Sequence, residues 1–369
     1  MTDKKKKILI LNYEFPPLGG GAGNATYYLL KELAKCNDVE IDLVTSSLDK
    51  FKTKKFSPRI TIHYLNINKG KNLHFQTNKE LLTYSWRAYW YCKKLAKEKQ
   101  FDLVHAFFGI PCGYIAYKLG LPYIVSLRGS DVPFYNKRFE KLDKFIFQKL
   151  SRKIWRAAKS VVVNSNQLKI LAQKTLKIDF PVIYNGVDIS EFQPKKTYTG
   201  KDGESLHLIS TGRLIQRKGF QYLIPALEKL PVKLTLIGGG NYRQELEKLA
   251  KTYKVNVEFK GDIAHTDIAT HLQKADIFVL PSLNEGMSNS ILEAIACGLP
   301  VITTNTGGSE ELVNGNGFIV KKASPDQLRD KLLEFLQDKH LIKKMATCSR
   351  KISLTKSWAS VAAQYLKEY

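Results

Sequence analysis

The chain has 369 residues, 44% hydrophobic and 25% charged, an ordinary globular composition that leaves room for two domains and excludes a collagen-like or largely disordered chain. Fifty-eight Lys and Arg against 34 Asp and Glu give a net charge of +24, which attracts phosphorylated ligands, anionic lipid or nucleic acid. No stretch approaches the roughly 20 apolar residues that span a bilayer. The five scattered cysteines form no Cys-x-x-Cys pair, which favours reduced cytosolic thiols over a disulfide framework or zinc site.

The charge is uneven: residues 1–190 carry 33 basic and 15 acidic residues, the remainder 25 and 19. Lys4–Lys7 followed by Ile8–Leu11 imitates a signal peptide, but the apolar run is too short and ends at Asn12-Tyr13-Glu14. It reads as a first strand with a basic prefix.

Apolar runs near 7–12, 40–45, 60–65, 102–105, 122–127, 160–164 and 181–184 alternate with helical patterns near 23–35, 79–98, 111–119, 134–158 and 166–176. Continuous runs such as Ile8–Leu11 and Val161–Val163 suit a parallel sheet covered on both faces. The alternation predicts a doubly wound α/β domain. At Asn185-Gly186 the order breaks, and the polar stretch 188–204, with Pro194, Lys195, Lys196, Gly200, Lys201 and Gly203, predicts a linker. Strands near 206–211, 232–237, 255–259, 277–280, 300–303 and 317–320 then resume the pattern. Two α/β domains, 1–186 and 187–353, are expected, with a cleft between them and ligands at the carboxyl ends of strands.

Three strand-to-helix loops could carry chemistry. In the first, Gly19, Gly20 and Gly21 let backbone approach a phosphate at a helix start, although such turns also arise from packing alone. In the second, Arg213, Arg217 and Lys218 crowd one loop between Gly212 and Gly219. Arg213 and Lys218 can neutralise a diphosphate; a solvated basic loop is the alternative. The third runs from Pro281 to Ala294 and spaces Glu285 and Glu293 eight residues apart, one in a loop and one about two turns into a helix. The amides of Gly286, Met287, Ser288, Asn289 and Ser290 lie at that helix start, suited to phosphate or sugar oxygens. The apolar neighbours Ile291, Leu292 and Ala294 argue for a partly buried Glu293, which then needs a partner.

In order along nearly the whole chain, these loops resemble glycosyltransferase family 4, the retaining nucleotide-sugar enzymes of GT-B fold. The likeness extends through Thr211-Gly212-Arg213-Leu214, Lys218-Gly219, Leu280-Pro281-Ser282, Cys297-Gly298-Leu299-Pro300 and Gly307-Gly308. It implies two Rossmann-like domains, with a final helix, about 354–369 and carrying Trp358, returning to the first. It further implies that Arg213 and Lys218 meet the donor diphosphate, Glu285 the sugar, Glu293 the ribose and Gly19–Gly21 the donor side. One departure stands out. Where many members have a histidine pair this chain reads His105-Ala106-Phe107, and Arg128-Gly129-Ser130-Asp131 stands where many have His-Gly. His105, Arg128 and Asp131 are therefore acceptor-side candidates without the family's histidine. His105 also fits a core position, and Arg128 either binds an anion or pairs with Asp131.

Fixed cations beside a leaving nucleoside diphosphate lower the barrier for C–O cleavage. The chain has no Asp-x-Asp, so metal-independent transfer is expected, with no cofactor and a UDP- or GDP-sugar as donor. The segment 134–159 interleaves nine Lys and Arg with aromatics, as a helix on an anionic membrane would, or a packed helix with a lysine-rich outer face. The expected enzyme is cytoplasmic, peripheral to the inner face of the membrane, and acts on a glycan or polyisoprenyl-phosphate-linked acceptor in envelope polysaccharide or glycolipid assembly. Three other readings stay open: a small soluble acceptor, a non-catalytic nucleotide-sugar binder, and a basic nucleic-acid-binding protein, although no nucleic-acid module is present.

Overall fold

The computed structural model describes residues 5–70, 73, 76–135, 143–194 and 205–369. It divides into two compact units, Met1–Asn185 with Trp358–Tyr369, and Gly186–Ser357. Positions 195–204 of the expected linker lie outside the described residues.

The strands of the first unit are β1 (Lys6–Leu11), β2 (Val39–Ser47), β3 (Lys52–Ser57), β4 (Ile60–Asn66), β5 (Leu103–Phe107), β6 (Tyr123–Leu127) and β7 (Ser160–Val163). Its helices are α1 (Gly21–Leu33), α2 (Asn78–Lys99), α3 (Tyr114–Leu119), α4 (Gln148–Ala157) and α5 (Asn166–Gln173). The second unit follows with β8 (Leu206–Thr211), α6 (Phe220–Ala226), β9 (Val232–Ile237), α7 (Arg243–Thr252), β10 (Val257–Gly261), α8 (His265–Leu272) and β11 (Ile277–Leu280). It continues through α9 (Asn289–Ala296), β12 (Val301–Thr304), α10 (Ser309–Leu312), β13 (Gly317–Val320), α11 (Pro325–Gln337) and α12 (His340–Leu354). The final helix, α13 (Trp358–Glu368), belongs to the first unit.

The first sheet has the order β3-β4-β2-β1-β5-β6-β7, and the second β10-β9-β8-β11-β12-β13. All pairs are parallel except β3 with β4. Ile8–Leu11 of β1 are fully buried, because helices cover both faces of the sheet. On one face α1 and α13 pack over β1, β2 and β4. There Trp358 stacks on Tyr28 with ring centroids 6.0 Å apart. On the other face lie α2, α3, α4 and α5. A capping box starts α2: the Thr77 side chain accepts from the Glu80 N–H, and Glu80 accepts from the Thr77 N–H.

The structure departs from sequence expectation in four places. The helix expected over 134–158 begins, among the described residues, at a π turn over Asp143–Phe147 that leads into α4. Phe134 instead has a left-handed φ of 69°, with its N–H held 2.8 Å from the Asp143 carboxylate. Residues 136–142, including Lys137, Arg138 and Lys141, lie outside the described residues. Residues 181–184 form a single bridge, Val163 to Val182, in place of a strand. A π turn over Gly109–Gly113 precedes the short α3, where one helix over 111–119 was expected. Finally, β3 carries no apolar signal. Its Lys52, Lys54 and Lys55 are exposed at the sheet edge, where charge discourages pairing with another strand.

Candidate active site

In the second unit the strand order reverses at β8, which has β9 on one side and β11 on the other. Loops leaving the carboxyl ends of such neighbouring strands enclose a ligand crevice. The loop after β8 holds Arg213, Arg217 and Lys218 and closes in a short 3-10 turn, Gln216–Lys218. Gly219 ends that turn with φ +74°, and a Cβ there would lie 1.9 Å from the Pro281 carbonyl oxygen. Only glycine permits so close an approach of the two loops. The Leu283 N–H donates to the Arg217 carbonyl at 2.8 Å, which joins them directly. A third loop supports the second: a Cβ on Gly307 would fall 2.4 Å from the Gly286 carbonyl oxygen, and the Thr304 hydroxyl donates to the Ser282 carbonyl.

This packing brings Lys218 Nζ to 2.6 Å from Glu285 Oε1, with the two side chains 12% and 13% exposed. The Ser282 hydroxyl donates to the same oxygen at 2.8 Å. Burial pushes the Glu285 pKa up, but the charge and hydrogen bond of Lys218, with help from Arg217 and Ser282, leave it below the ordinary value. Glu285 is therefore an ionised acceptor aligned by its neighbours. Arg213 is exposed at the start of the same loop.

After Gly286 and the buried Met287, Ser288 caps α9 by accepting from the Ile291 N–H at 3.3 Å and lies 2.9 Å from the Ser290 hydroxyl. Asn289 opens the helix. Glu293, further along α9, has its expected partner: His265 Nε2, the first residue of α8, at 3.0 Å. The other ring nitrogen of His265 is 3.7 Å from Glu191 Oε1. Burial lowers the His265 pKa, yet Glu293 first and then Glu191 raise it overall. Sequence reasoning missed His265. It lies 28 residues from Glu293 on a different helix, and no local pattern marks it.

The first unit treats its candidates differently. Gly19 has φ +93°, and a Cβ there would strike the Glu14 side chain. The Gly20 N–H donates to Glu14 Oε2 at 3.1 Å, just before α1 begins at Gly21. The protein's own carboxylate thus occupies an amide that the sequence reading reserved for a ligand, and an anion binding there has to displace it or sit beside it.

His105 has no exposed surface. Its Nδ1 is 2.8 Å from the Tyr369 hydroxyl and its Nε2 is 2.7 Å from Ser126 Oγ. Burial, then Arg128, hold its pKa well below the ordinary value, so it is a neutral core residue out of reach of an acceptor.

The Arg128 guanidinium stacks 4.6 Å from the Phe107 ring centroid. It donates to Asn185 Oδ1 at 2.8 Å and the Tyr365 hydroxyl at 3.3 Å. Of the two alternatives for Arg128, a pairing with Asp131 is made only through backbone: the Asp131 carboxylate accepts from the N–H groups of Gly109 at 2.7 Å and of Arg128 and Gly129, each at 2.9 Å. Burial pushes the Asp131 pKa up despite these bonds.

Among the described residues no group of three or more His, Cys, Asp or Glu is placed to hold a metal ion. Nor is any helix among them long and apolar enough to cross a membrane.

Residues 19–191 match the family described as glycosyltransferase family 4, and residues 191–352 match glycosyl transferases group 1. The chain is 24% identical over 370 residues to an uncharacterised glycosyltransferase of Methanocaldococcus jannaschii, covering 98% of this chain and 97% of that protein. Over 180 residues it is 33% identical to a GDP-mannose-dependent monoacylated α-(1-6)-phosphatidylinositol monomannoside mannosyltransferase of Corynebacterium glutamicum, covering 43% of this chain and 47% of that one. In fold it resembles a sucrose-phosphate synthase from Thermosynechococcus elongatus, with a TM-score of 0.85 at 20% identity over 98% of both chains.

Proposed function

The chain belongs to glycosyltransferase family 4 and has the GT-B fold, and on that premise we propose that it moves a sugar, with retention, from a nucleoside-diphosphate donor to a glycan or lipid-linked acceptor. The observation that carries this reading is the Lys218–Glu285 pair, 2.6 Å apart, at the reversal point of the second sheet. A cation held beside an ionised, hydroxyl-anchored carboxylate offers adjacent places for a diphosphate and for sugar hydroxyls.

Lys218 and Arg213 neutralise the diphosphate as its bond to the sugar breaks. Glu285 accepts from the sugar hydroxyls. The acceptor oxygen forms the new bond on the face the diphosphate leaves, and its proton passes to a departing phosphate oxygen. The nucleoside diphosphate leaves with the bonding pair, so the step balances without a metal. The amides and side chains of Gly286–Ser290 line the donor side. Glu293 accepts from the ribose, with His265 orienting it.

Two observations support a membrane-linked acceptor: the basic excess of residues 1–190, and the phosphatidylinositol monomannoside in the name of the Corynebacterium relative. The enzyme then works at the cytoplasmic face of a membrane, in envelope polysaccharide or glycolipid assembly. A UDP- or GDP-sugar is the expected donor.

Thermal stabilisation by UDP-, GDP- and ADP-sugars tests the donor half, because a ligand that binds only the folded state raises apparent stability. Clear stabilisation by one nucleotide class, lost in Lys218→Ala, is expected. No stabilisation by any of them would overturn the donor assignment.

A further inference from the structure

The face of the first unit formed by α2, α3 and α4 has an unusual outer surface. Leu82, Trp86 and Trp90 of α2 are 71%, 66% and 53% exposed. Their four-residue spacing sets them in one line along the helix. The chain's other two tryptophans, Trp155 and Trp358, are buried. Lys93 caps the line, with Nζ 5.1 Å from the Trp90 ring centroid. Phe51, also exposed, has its ring centroid 5.4 Å from that of Tyr91, the residue after Trp90.

In the same helical layer, a groove of about 470 Å³ opens between α3 and α4, lined by Tyr117, Lys149, Arg152, Lys153 and Arg156. The four cations recur at the spacing of one helix face. Lys153 sits 5.3 Å from the Tyr117 ring centroid, and Arg152 is fixed by its Nε donating to the Thr175 carbonyl at 2.7 Å. Phe145 and Ile146 are exposed just before α4.

Neither α3 nor α4 contains a carboxylate. On α2, Glu80 is buried against Lys69, so Glu98 near the far end is the exposed acid among that helix's residues. A merely solvated lysine face does not require two exposed tryptophans. A second copy of the chain would set this cationic surface against itself, at a cost in repulsion. A surface with apolar depth and negative headgroups matches both features: tryptophan rings settle at the interface and lysines reach outward to phosphates.

We propose that the α2–α3–α4 layer docks on an anionic phospholipid bilayer, with Trp86 and Trp90 entering the interface and the Lys149/Arg152/Lys153/Arg156 groove receiving a lipid phosphate. The inference rests on the membrane-linked acceptor of the preceding reading and identifies the residues that meet the membrane. The stripe on α2 carries the apolar contact; the segment 134–159 singled out from sequence contributes its described part, chiefly the cations of α4.

The test is flotation of the full chain with phosphatidylcholine vesicles, with and without phosphatidylglycerol, at low salt. The same samples are read for quenching of tryptophan emission by lipids brominated in the acyl chain. Binding to the anionic vesicles alone is expected, with quenching, since Trp86 and Trp90 are the two exposed emitters. Lys149→Gln or Lys153→Gln should each lower partitioning roughly fivefold, the scale for one near-surface cation. Trp86→Ser with Trp90→Ser should lower it by about tenfold or more and remove the quenching, because binding scales with the apolar area inserted.

Absence of flotation at low salt, or flotation without quenching in the wild-type chain, would overturn the proposal without recourse to any variant. So would a concentration-dependent dimer that the tryptophan substitutions dissociate, which would assign the stripe to a second copy. Donor stabilisation on the same preparations separates the two readings. If it persists while flotation fails, the docking face is wrong and the membrane-linked acceptor loses its support while the donor half stands; if flotation persists without it, the donor site alone is wrong.

Discussion

Lys218 and Glu285 each neutralise the other in the structure, 2.6 Å apart and largely buried. A donor diphosphate would draw Lys218 toward itself and leave Glu285 for sugar hydroxyls. Lys218→Ala should therefore harm both partners, stranding an ionised carboxylate and removing a charge from the leaving group. Turnover is expected to fall by roughly 10²–10³ in Lys218→Ala, and similarly in Arg213→Ala. Steady-state rates of the folded variants check this, and near-normal rates in both would remove them from the chemistry.

A second residue-scale prediction concerns His265. Its folded pKa lies above the unfolded value because Glu293 and Glu191 outweigh burial. The ion pair's contribution to stability is then complete below about pH 6.5, the ordinary histidine value, and is lost as pH rises through the higher folded value. Melting temperatures from about pH 6 to about pH 9 should decline more steeply for the wild-type chain than for His265→Gln. Parallel profiles would show that the pair contributes nothing.

At the scale of elements, the loops proposed to bind the donor depend on backbone contact between neighbours. Gly219 joins the end of the 212–219 loop to the strand-end loop that starts at Pro281, and no side chain fits between them. Gly219→Ala would meet the Pro281 carbonyl and also adopt a positive φ with a Cβ. A loss of more than about 2 kcal/mol in chemical denaturation is expected, together with weaker donor binding as the loops part. An unchanged denaturation midpoint would show that the loops can separate at little cost. The glycine loop before α1 works in the opposite sense, since Glu14 already supplies the negative charge at that helix start.

At the scale of the whole molecule, the two units contribute unequal chemistry. The second holds the paired cation and carboxylates, and the first combines a sealed core around His105 with a basic, tryptophan-bearing outer layer. On the proposed mechanism, fixed cations in the second unit would do the work of a metal at the leaving group. Transfer should accordingly survive excess EDTA. An enzyme silenced by EDTA and restored by Mg²⁺ or Mn²⁺ would show that carboxylates outside the proposed set hold a cation.

Some of this was legible in residue order, for a physical reason. Strand positions such as Ile8–Leu11 are covered on both faces, so they read as unbroken apolar runs. Glycines at 212 and 219, and the carboxylates at 285 and 293, answer to local turn and helix geometry that spacing encodes. The edge strand Lys52–Ser57 was silent because Lys52–Lys55 meet solvent on both faces, which leaves no alternation to read. The partner of Glu293 was silent as well, since His265 reaches it only when two helices pack side by side. Burial of His105 beneath Tyr369 joins positions 264 residues apart, and Phe134 leaves helical geometry because Asp143 holds its N–H. The aromatic residues of α2 give the clearest case: Tyr84 and Trp86 are two places apart, yet one is sealed in the core and the other faces outward. Composition treats them alike. Which side of the helix the sheet covers depends on how distant segments pack, and that packing leaves Trp86 and Trp90 to solvent.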